Sequence, residues 1–397
     1  MRVFLKSVSE LNSNYHPLEN ANKLDDVTYE NRLYMHYGDY SIETRGIEKF
    51  LLVIKAISKI IFSFGFAYRS PDVQENLQGR RIDIVYINVE GGSRSLKIKE
   101  SYFPKIDEDL YAFRKAIFNE TLIACENGYI NSKMNVVMID NDPMLKGTET
   151  YNQLETLAPI NTPYQTKFSV IAEDTFKVML KRVAEGLYPV GINMANLYHP
   201  GGGADSGCPA QEEALCRSSN HILGLKTQSY PIPVQGGIYC PHVKVIRKGI
   251  DEGFAFFDKP LEVALVAVAA FDLRENSSDR QSLALPLQGK LDIIDLVLHN
   301  RFMRETTAKI ANMLREMAIK GHQHIVLGAL GCGAFQNPPT LIARIFGELF
   351  NGEFKGRFAG VDFAILNIFP NDHKNIEAFT NECEELNKNS KTQNLFI

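Results

Sequence analysis

Two adjacent glutamates that follow a glycine triplet are the strongest sign of chemistry in the sequence. Seven residues separate Gly201–Gly203 from the run Gln211, Glu212 and Glu213. Glycines let the backbone approach a ligand closely, and the free N–H groups at a helix start favour anions such as phosphate. Two carboxylates beside an anion site bring only repulsion unless they carry out chemistry or bind hydroxyl groups. The pattern therefore indicates more than a phosphate cradle.

Paired carboxylates suit the cleavage of an O-glycosidic bond. This reaction needs a carboxyl group that protonates the departing oxygen and then activates water. Repulsion between Glu212 and Glu213 should raise the pKa of at least one of them, which favours a protonated acid near neutral pH. A purely structural interpretation stays open, because acidic residues stabilise the first turn of a helix and Glu213 could pair with Arg217 one turn later.

A second glycine-rich stretch, Gly331–Phe335, also follows an apolar run, His324–Ala329. Glycine loops after buried strands should open at one edge of a sheet, where two of them can enclose a diphosphate. Phe335 could pack against a ribose or base, or in the core. Asn193 and Asn196 could bind ribose hydroxyls or form a turn, and we expect one of them to contact the ligand. The candidate binding residues are Asn193, Asn196, Gly201, Gly202, Gly203, Gln211, Gly331, Cys332, Gly333, Ala334 and Phe335.

The elements that must position these residues alternate between strand and helix. Apolar runs and helical periodicity predict strands over 135–139, 168–172, 190–195, 263–270, 324–329 and 361–367, and helices over 111–127, 173–185, 290–320 (as two helices), 341–350 and 371–388. Pro209 is expected in the first turn of the helix that carries the glutamates. Residues 140–166 are expected to form a long irregular connection. This alternation predicts an α/β fold with ligands at the carboxyl ends of the strands.

The wider motif string resembles the microbial-type poly(ADP-ribose) glycohydrolases, a branch of the macrodomain superfamily. The string GGG-x7-QEE is followed by CRSS, and INMAN precedes it. Further blocks of the chain are similar to the same family in the same order. They are FRKAIFNETLIACENGYI (113–130), GGIYCPHVKVIR (236–247), VALVAVAAFDLR (263–274) and HIVLGALGCGAFQNPP (324–339). The resemblance covers residues 113–370 and leaves the first 110 residues outside it.

This resemblance implies a macrodomain-like three-layer α/β/α fold with a mixed, largely parallel central sheet, preceded by an N-terminal α+β extension. It implies an enzyme that releases ADP-ribose from poly(ADP-ribose), with Glu213 as general acid/base and Glu212 binding ribose hydroxyls. No cofactor or metal is expected. Leu330, Gln336 and the pair Phe271–Asp272 depart from the family pattern, near the expected adenine or distal ribose.

Two other functions stay open. The chain could remove single ADP-ribosyl groups from a protein that residues 1–110 recognise, or it could bind ADP-ribose without cleaving it. Glu213 argues against the binding function, since a protein that only binds ADP-ribose has no need of a second carboxylate. A zinc site built from Cys208, Cys216, Cys240 and His242 is disfavoured, because their spacing fits no common zinc module.

Bulk properties limit partners and location. We expect the 397 residues to divide into an extension (1–110), a catalytic domain (111–388) and a tail (389–397). The net charge of −4 provides no positive electrostatic field that would attract DNA. Six scattered cysteines and a start without a signal peptide predict a cytoplasmic protein, or one delivered into a host cytosol as an effector. The apolar stretch 47–68 contains three lysines, which favour a buried amphipathic helix over a membrane span.

Overall fold

The computed structural model describes residues 108–392, except 132, 134, 162, 292 and 367–371, and the backbone of six strands nearer the N-terminus. Those strands are β1 (Phe4–Leu5), β2 (Tyr29–Glu30), β3 (Leu33–Tyr37), β4 (Tyr40–Thr44), β5 (Arg81–Asn88) and β6 (Arg94–Ser101). β5 and β6 form a hairpin, in which they pair antiparallel over their whole length. The apolar stretch 47–68 lies outside the described residues. None of the helices that are described has the length and apolar character to span a membrane.

A mixed seven-stranded sheet forms the centre of the described region. In chain order, its strands are β9 (Glu149–Tyr151), β10 (Lys167–Ile171), β11 (Val190–Met194), β12 (Gly237–Arg247), β13 (Phe256–Val268), β14 (His324–Leu327) and β15 (Gly360–Ala364). Their spatial order is β10-β15-β14-β11-β13-β12-β9. The first five strands of that order run parallel, and β12 pairs antiparallel with both β13 and β9. A separate short pair is formed by β7 (Tyr129–Ile130) and β8 (Val136–Val137).

Helices cover both faces of the sheet, as its apolar strands require. They are α1 (Glu108–Asn127), α2 (Asp142–Gly147), α3 (Thr175–Ala184), α4 (Gln211–Ser218), α5 (His221–Leu225), α6 (Ser278–Ser282), α7 (Ile293–Leu298), α8 (Asn300–Ile319), α9 (Pro339–Asn351) and α10 (Asp372–Thr392). Alternate side chains of β13 enter two different cores: Val266 packs with residues of α8 and α9, and Leu265 packs with residues of α3 and α4. The expected α/β class with a largely parallel sheet is confirmed.

Two local predictions were wrong. The connection 140–166 contains α2 and the edge strand β9, so it is less irregular than expected. Its short elements were hidden because six and three residues are too few for a clear hydrophobic period. Pro209 lies before α4 rather than in its first turn, since the helix starts at Gln211 and Ala210 is its N-cap. The extended backbone of Ala210 carries the chain from the loop into the helix.

The order of the strands places both glycine loops at one edge of the sheet. β11 and β14 are hydrogen-bonded neighbours that run parallel, so their carboxyl ends point the same way. The loop that begins after Met194 and the loop that begins after Leu327 therefore open side by side. This is the position where ligands bind in open parallel sheets.

Candidate active site

Gln211 fixes the helix that carries the two glutamates against the central strand. Its Oε1 accepts from the backbone N–H of Met194 at 2.9 Å, and its Nε2 donates to the carbonyl of Ile192 at 2.7 Å. The same amide nitrogen donates to Oγ1 of Thr175 at 3.2 Å. Sequence reasoning placed Gln211 among ligand contacts, and the described structure uses its amide to join α4 to β11 and α3.

Glu212 is buried and accepts three hydrogen bonds from the first loop and the strand end. Oε1 accepts from the N–H of Gly201 at 3.1 Å and from Nδ2 of Asn193 at 3.3 Å, and Oε2 accepts from the N–H of Asn196 at 2.7 Å. The pKa of this carboxyl is raised to about 8 overall. Burial raises it most, the three donors lower it, and the nearby Glu213 raises it. Glu212 can therefore change its protonation state near neutral pH while it shapes the loop.

Glu213 is held by one oxygen only. The N–H of Gly203 donates to Oε1 at 2.9 Å, whereas Oε2 is buried and has no hydrogen-bond partner among the described residues. Arg217, which the sequence offered as an ion-pair partner, instead donates from Nη1 to the carbonyl of Cys208 at 2.6 Å. A buried carboxylate oxygen without a partner is costly unless a ligand or a water molecule satisfies it.

The first glycine loop wraps around the two carboxylates. Gly202 has a φ of +56°, and a Cβ there would lie 2.5 Å from Oε1 of Glu213 and 3.0 Å from Oε2 of Glu212. The N–H groups of Gly201 and Gly203 donate to the carboxylates, and that of Gly202 donates to the carbonyl of His199. A phosphate at this loop would have to share these donors. The first loop therefore serves to position the acids.

The second loop keeps backbone donors available. In the described region, the N–H groups of Gly333, Ala334 and Phe335 donate to no protein acceptor, and Gly333 and Ala334 are exposed. Asn337 shapes this loop, because its Nδ2 donates to the carbonyls of Phe271 and Gly331 at 2.8 and 3.2 Å. Three consecutive free N–H groups suit an anion such as a diphosphate.

Phe335 lies at the rim of this loop rather than in the core. It is half-buried, and the guanidinium of Arg274 lies 5.3 Å from its ring centroid. Asp272 accepts from Nε and Nη2 of Arg274 at 2.9 and 2.6 Å, which fixes the guanidinium in place. Asp272 and Arg274 lie in the block that departs from the family pattern, so this chain has its own arrangement beside Phe335.

The two candidate asparagines have different roles. Asn196 forms a turn, since its Oδ1 accepts from the N–H groups of Tyr198 and His199 at 2.8 and 3.0 Å. Asn193 is fully buried beside Glu212, and its Nδ2 also lies 3.0 Å from Nε2 of His221. Sequence reasoning did not single out His221, because a histidine among buried residues has no motif that marks it.

The cysteines do not form a metal site with their neighbours. All six are free thiols, and no group of three or more His, Cys, Asp or Glu side chains in the described residues could bind a metal ion. Cys216 packs in the core beneath the first loop, and burial raises the pKa of its thiol. His242 pairs with Glu262 at 2.8 Å instead of turning to a cysteine.

Comparison with known proteins identifies a family model that matches part of the chain. Residues 119–248 match the family model for the microbial-type PARG, catalytic domain, where PARG is poly(ADP-ribose) glycohydrolase. This range contains the first glycine loop and both glutamates. No match was found among curated protein sequences.

Similar solved structures include bacterial enzymes. The poly(ADP-ribose) glycohydrolase of Thermomonospora curvata has 28% sequence identity and a TM-score of 0.56, and the alignment covers 68% of this chain and 98% of that one. A structure of that enzyme bound to the inhibitor ADP-HPD has 27% identity and a TM-score of 0.54, with the same coverage. The enzyme of Deinococcus radiodurans in complex with ADP-ribose has 25% identity, a TM-score of 0.48, and coverage of 62% and 97%.

The fold, the site and these relatives define the chain as a glycosidase-type hydrolase with a macrodomain-like α/β fold. Within that class, residues 119–248 match the microbial-type PARG family model, in agreement with the resemblance that the sequence motifs indicated.

Proposed function

We propose that this protein cleaves the O-glycosidic ribose linkage of poly(ADP-ribose) and releases ADP-ribose, with Glu213 as general acid/base. The first support is the likeness to the Thermomonospora curvata enzyme, which extends over 98% of that chain. The second is the geometry of the glutamate pair. The two glutamates differ in their hydrogen bonds, and this difference assigns each a separate role.

The observation that carries the proposal is the unpartnered Oε2 of Glu213. Its other oxygen is held 2.9 Å from the N–H of Gly203, which fixes the carboxyl plane. Oε2 is buried without a hydrogen-bond partner among the described residues, so a substrate oxygen can take that position. A general acid must come within about 3 Å of the atom that it protonates.

The reaction then follows from this geometry. The carboxylic acid of Glu213 transfers its proton from Oε2 to the departing ribose oxygen while the bond from that oxygen to the anomeric carbon breaks. The resulting carboxylate takes a proton from a water molecule, whose oxygen forms the new bond to the anomeric carbon. The positive charge that develops on the sugar ring is stabilised by the carboxylate and by the phosphates of the substrate itself. The products are ADP-ribose and the shortened polymer.

The other residues bind the substrate around this acid. Glu212 has three of its roughly four acceptor positions filled by N–H groups, which leaves one for a ribose hydroxyl. The free N–H groups of Gly333, Ala334 and Phe335 would bind the diphosphate, and the exposed face of Phe335 would pack against the ribose or base. Binding therefore comes from the second loop, and catalysis comes from the helix after the first.

The test is hydrolysis of purified poly(ADP-ribose) by the full chain and by Glu213→Gln. We expect the variant to lose activity by on the order of 10²–10⁴-fold, because it can neither give nor take the proton. ADP-ribose binding, measured by calorimetry, should persist. The matched control is Glu316→Gln, a buried glutamate on α8 that lies outside the site, and it should retain activity. Undiminished turnover by Glu213→Gln would overturn the assignment.

The same assay separates the two other functions. A panel of polymer and of proteins carrying one ADP-ribosyl group on arginine, serine or glutamate shows which linkage is cleaved. Cleavage of a mono-modified protein but not of polymer would favour a mono-ADP-ribosyl hydrolase that uses residues 1–110 for recognition, and removal of those residues would then abolish it. Calorimetric binding of ADP-ribose without any product would favour a reader.

A further inference from the structure

A fully buried imidazole lies behind Glu212 and takes no part in the reaction described above. His221 begins α5, and its Nε2 lies 3.0 Å from Nδ2 of Asn193. The same Nδ2 donates to Oε1 of Glu212 at 3.3 Å. Both Asn193 and His221 have no exposed surface. The three side chains form a continuous line from the carboxyl group to the imidazole.

The tautomer of the imidazole determines which end of the Asn193 amide it can contact. Burial lowers the pKa of His221 to about 3, so the ring is neutral and has one N–H and one lone pair. When the lone pair is on Nε2, the ring accepts a hydrogen bond and selects the NH₂ end of the amide. That NH₂ group has two hydrogens, one for His221 and one for the carboxylate of Glu212. The opposite orientation would turn the amide oxygen toward a carboxylate, and two acceptors repel.

We propose that His221 is a positioning residue: through Asn193 it keeps an amide donor on Glu212 and so stabilises the ionised carboxylate that receives a ribose hydroxyl. This contact requires the tautomer with the proton on Nδ1, an atom that has no hydrogen-bond partner among the described residues. The role of the hydroxyl rests on the proposed function, whereas the control of Glu212 by His221 does not.

Other ionisable groups face Glu212, and the proposal must be separated from them. Glu213 and Cys216 lie on the same helix, Tyr230 approaches from the loop after α5, and Cys240 of β12 lies close to Cys216 and Tyr230. Burial raises the pKa values of both thiols and of the Tyr230 phenol, so these three groups stay uncharged near neutral pH. Glu213 is the remaining ionisable neighbour and is unchanged in every variant below.

The test measures the ionisation of Glu212 without using activity. Infrared spectra of the full chain are recorded from pH 5 to 9, and the band of the protonated carboxyl is assigned by its loss in Glu212→Gln. We expect the midpoint to rise by about half to one pH unit in His221→Leu, because a hydrogen bond contributes roughly 1 kcal/mol. His221→Gln supplies an amide oxygen near the position of Nε2 and should restore the midpoint.

Two further comparisons exclude a merely structural effect. His322 is also a buried histidine, but it lies near the start of β14 and contacts Tyr239 and Tyr188, so His322→Leu should leave the midpoint unchanged. In an Asn193→Ala background, His221→Leu should add nothing if it acts through that amide. An equal midpoint in wild type and His221→Leu, or an additive shift in the double variant, would overturn the proposal.

The unmodified protein supplies a test that does not depend on any variant folding. Nitrogen-15 NMR distinguishes the two imidazole nitrogens, and we expect the proton of His221 on Nδ1. A proton on Nε2 contradicts the proposed hydrogen bond. In polymer hydrolysis, His221→Leu should raise KM about three- to tenfold at pH 7 with a smaller change in kcat, as expected for a lost hydroxyl contact worth about 1 kcal/mol. If no polymer is cleaved by wild type, the proposed function fails while the infrared result still decides the role of His221.

Discussion

The backbone N–H of Gly203 donates to Oε1 of Glu213 at 2.9 Å, so the glycine triplet binds the proposed catalytic acid itself. Gly201 makes the equivalent contact with Glu212 at 3.1 Å. The loop and the helix therefore form one unit, in which backbone amides orient two adjacent carboxylates. The spacing between GGG and QEE follows from this contact, since the intervening residues must bring the loop back over the first helical turn.

Gly202→Ala should disrupt this unit while leaving the fold intact. The residue has a φ of +56°, and the new Cβ would lie 2.5 Å from Oε1 of Glu213. The carboxyl must move, and a misplaced general acid loses on the order of 10²-fold in rate. Polymer hydrolysis would measure this loss, and circular dichroism would report the fold.

The control for this prediction is Gly186→Ala, which shares the positive φ but has no steric clash. Its φ is +82°, and no atom lies within 4 Å of an added Cβ. This variant should lose about 1–2 kcal/mol of unfolding free energy and keep full activity. Equal activity of the two variants would show that the loop does not position Glu213.

Glu212→Gln should change how stability depends on pH. Burial raises the pKa of Glu212 from the ordinary value of 4.5 to about 8, so the folded protein retains a proton that the unfolded chain releases within this range. Wild-type stability therefore falls as pH rises from about 4.5 to 8, and the glutamine substitution removes this pH dependence because glutamine does not titrate. We expect the melting temperature of the variant, relative to wild type, to increase by several degrees between pH 5 and 8.

An opposite case provides the control. Burial opposes ionisation of Glu353, but Arg315 and the N–H of Leu157 donate to it and lower its pKa. The stability that the ionised Glu353 contributes is present above the pKa of the unfolded chain and is lost only in acid, so Glu353→Gln should lower the melting temperature about equally at pH 5 and pH 8. A constant difference between Glu212→Gln and wild type across the range would contradict the raised pKa.

Gln211→Met should weaken the attachment of α4 to the sheet. Methionine keeps the length of the side chain but removes the hydrogen bonds to Met194 and Ile192, which leaves a backbone donor and an acceptor unpaired. Each orphaned group costs about 1–3 kcal/mol, so chemical denaturation should show a loss of about 2–4 kcal/mol. Gln281→Met, at an exposed position on α6, should stay within about 0.5 kcal/mol of wild type.

The strands, helices and loops that have a periodic pattern or a motif could be predicted from the sequence. The long apolar strands such as β13, the helix pair α7 and α8, and the position of both glycine loops after buried strands were all predicted and are present. Strands that are buried on both faces have continuous apolar runs, which can be recognised in a single sequence.

The contacts inside the site could not be predicted in the same way. Gln211 was expected at the ligand, yet its amide joins α4 to β11, because an amide side chain serves either purpose equally well. His221 and Asn337 lie far along the chain from the groups that they contact, and no local pattern encodes such pairs. Contacts between single side chains that are distant in sequence depend on the tertiary fold and leave no local pattern.

Gln336 provides a last test, because it departs from the family pattern at a position with special backbone geometry. Its φ is +59°, in the left-handed region where a side chain costs about 1–2 kcal/mol. The N–H of Gln336 donates to the carbonyl of Gly333 at 3.1 Å, which closes the second loop and requires this conformation. Glycine adopts the same angles without that cost, but its greater freedom in the unfolded chain lowers the free energy of unfolding by roughly 0.5–1 kcal/mol.

Gln336→Gly should therefore raise the unfolding free energy by about 0.5–1 kcal/mol, measured by chemical denaturation. Gln281→Gly, in the right-handed turn of α6, should lower it by a similar amount, because there glycine gives only the entropic loss. If the loop keeps its shape, the variant should bind ADP-ribose with unchanged affinity. A loss of stability in Gln336→Gly would mean that the side chain makes a compensating contact, since backbone geometry alone predicts a gain.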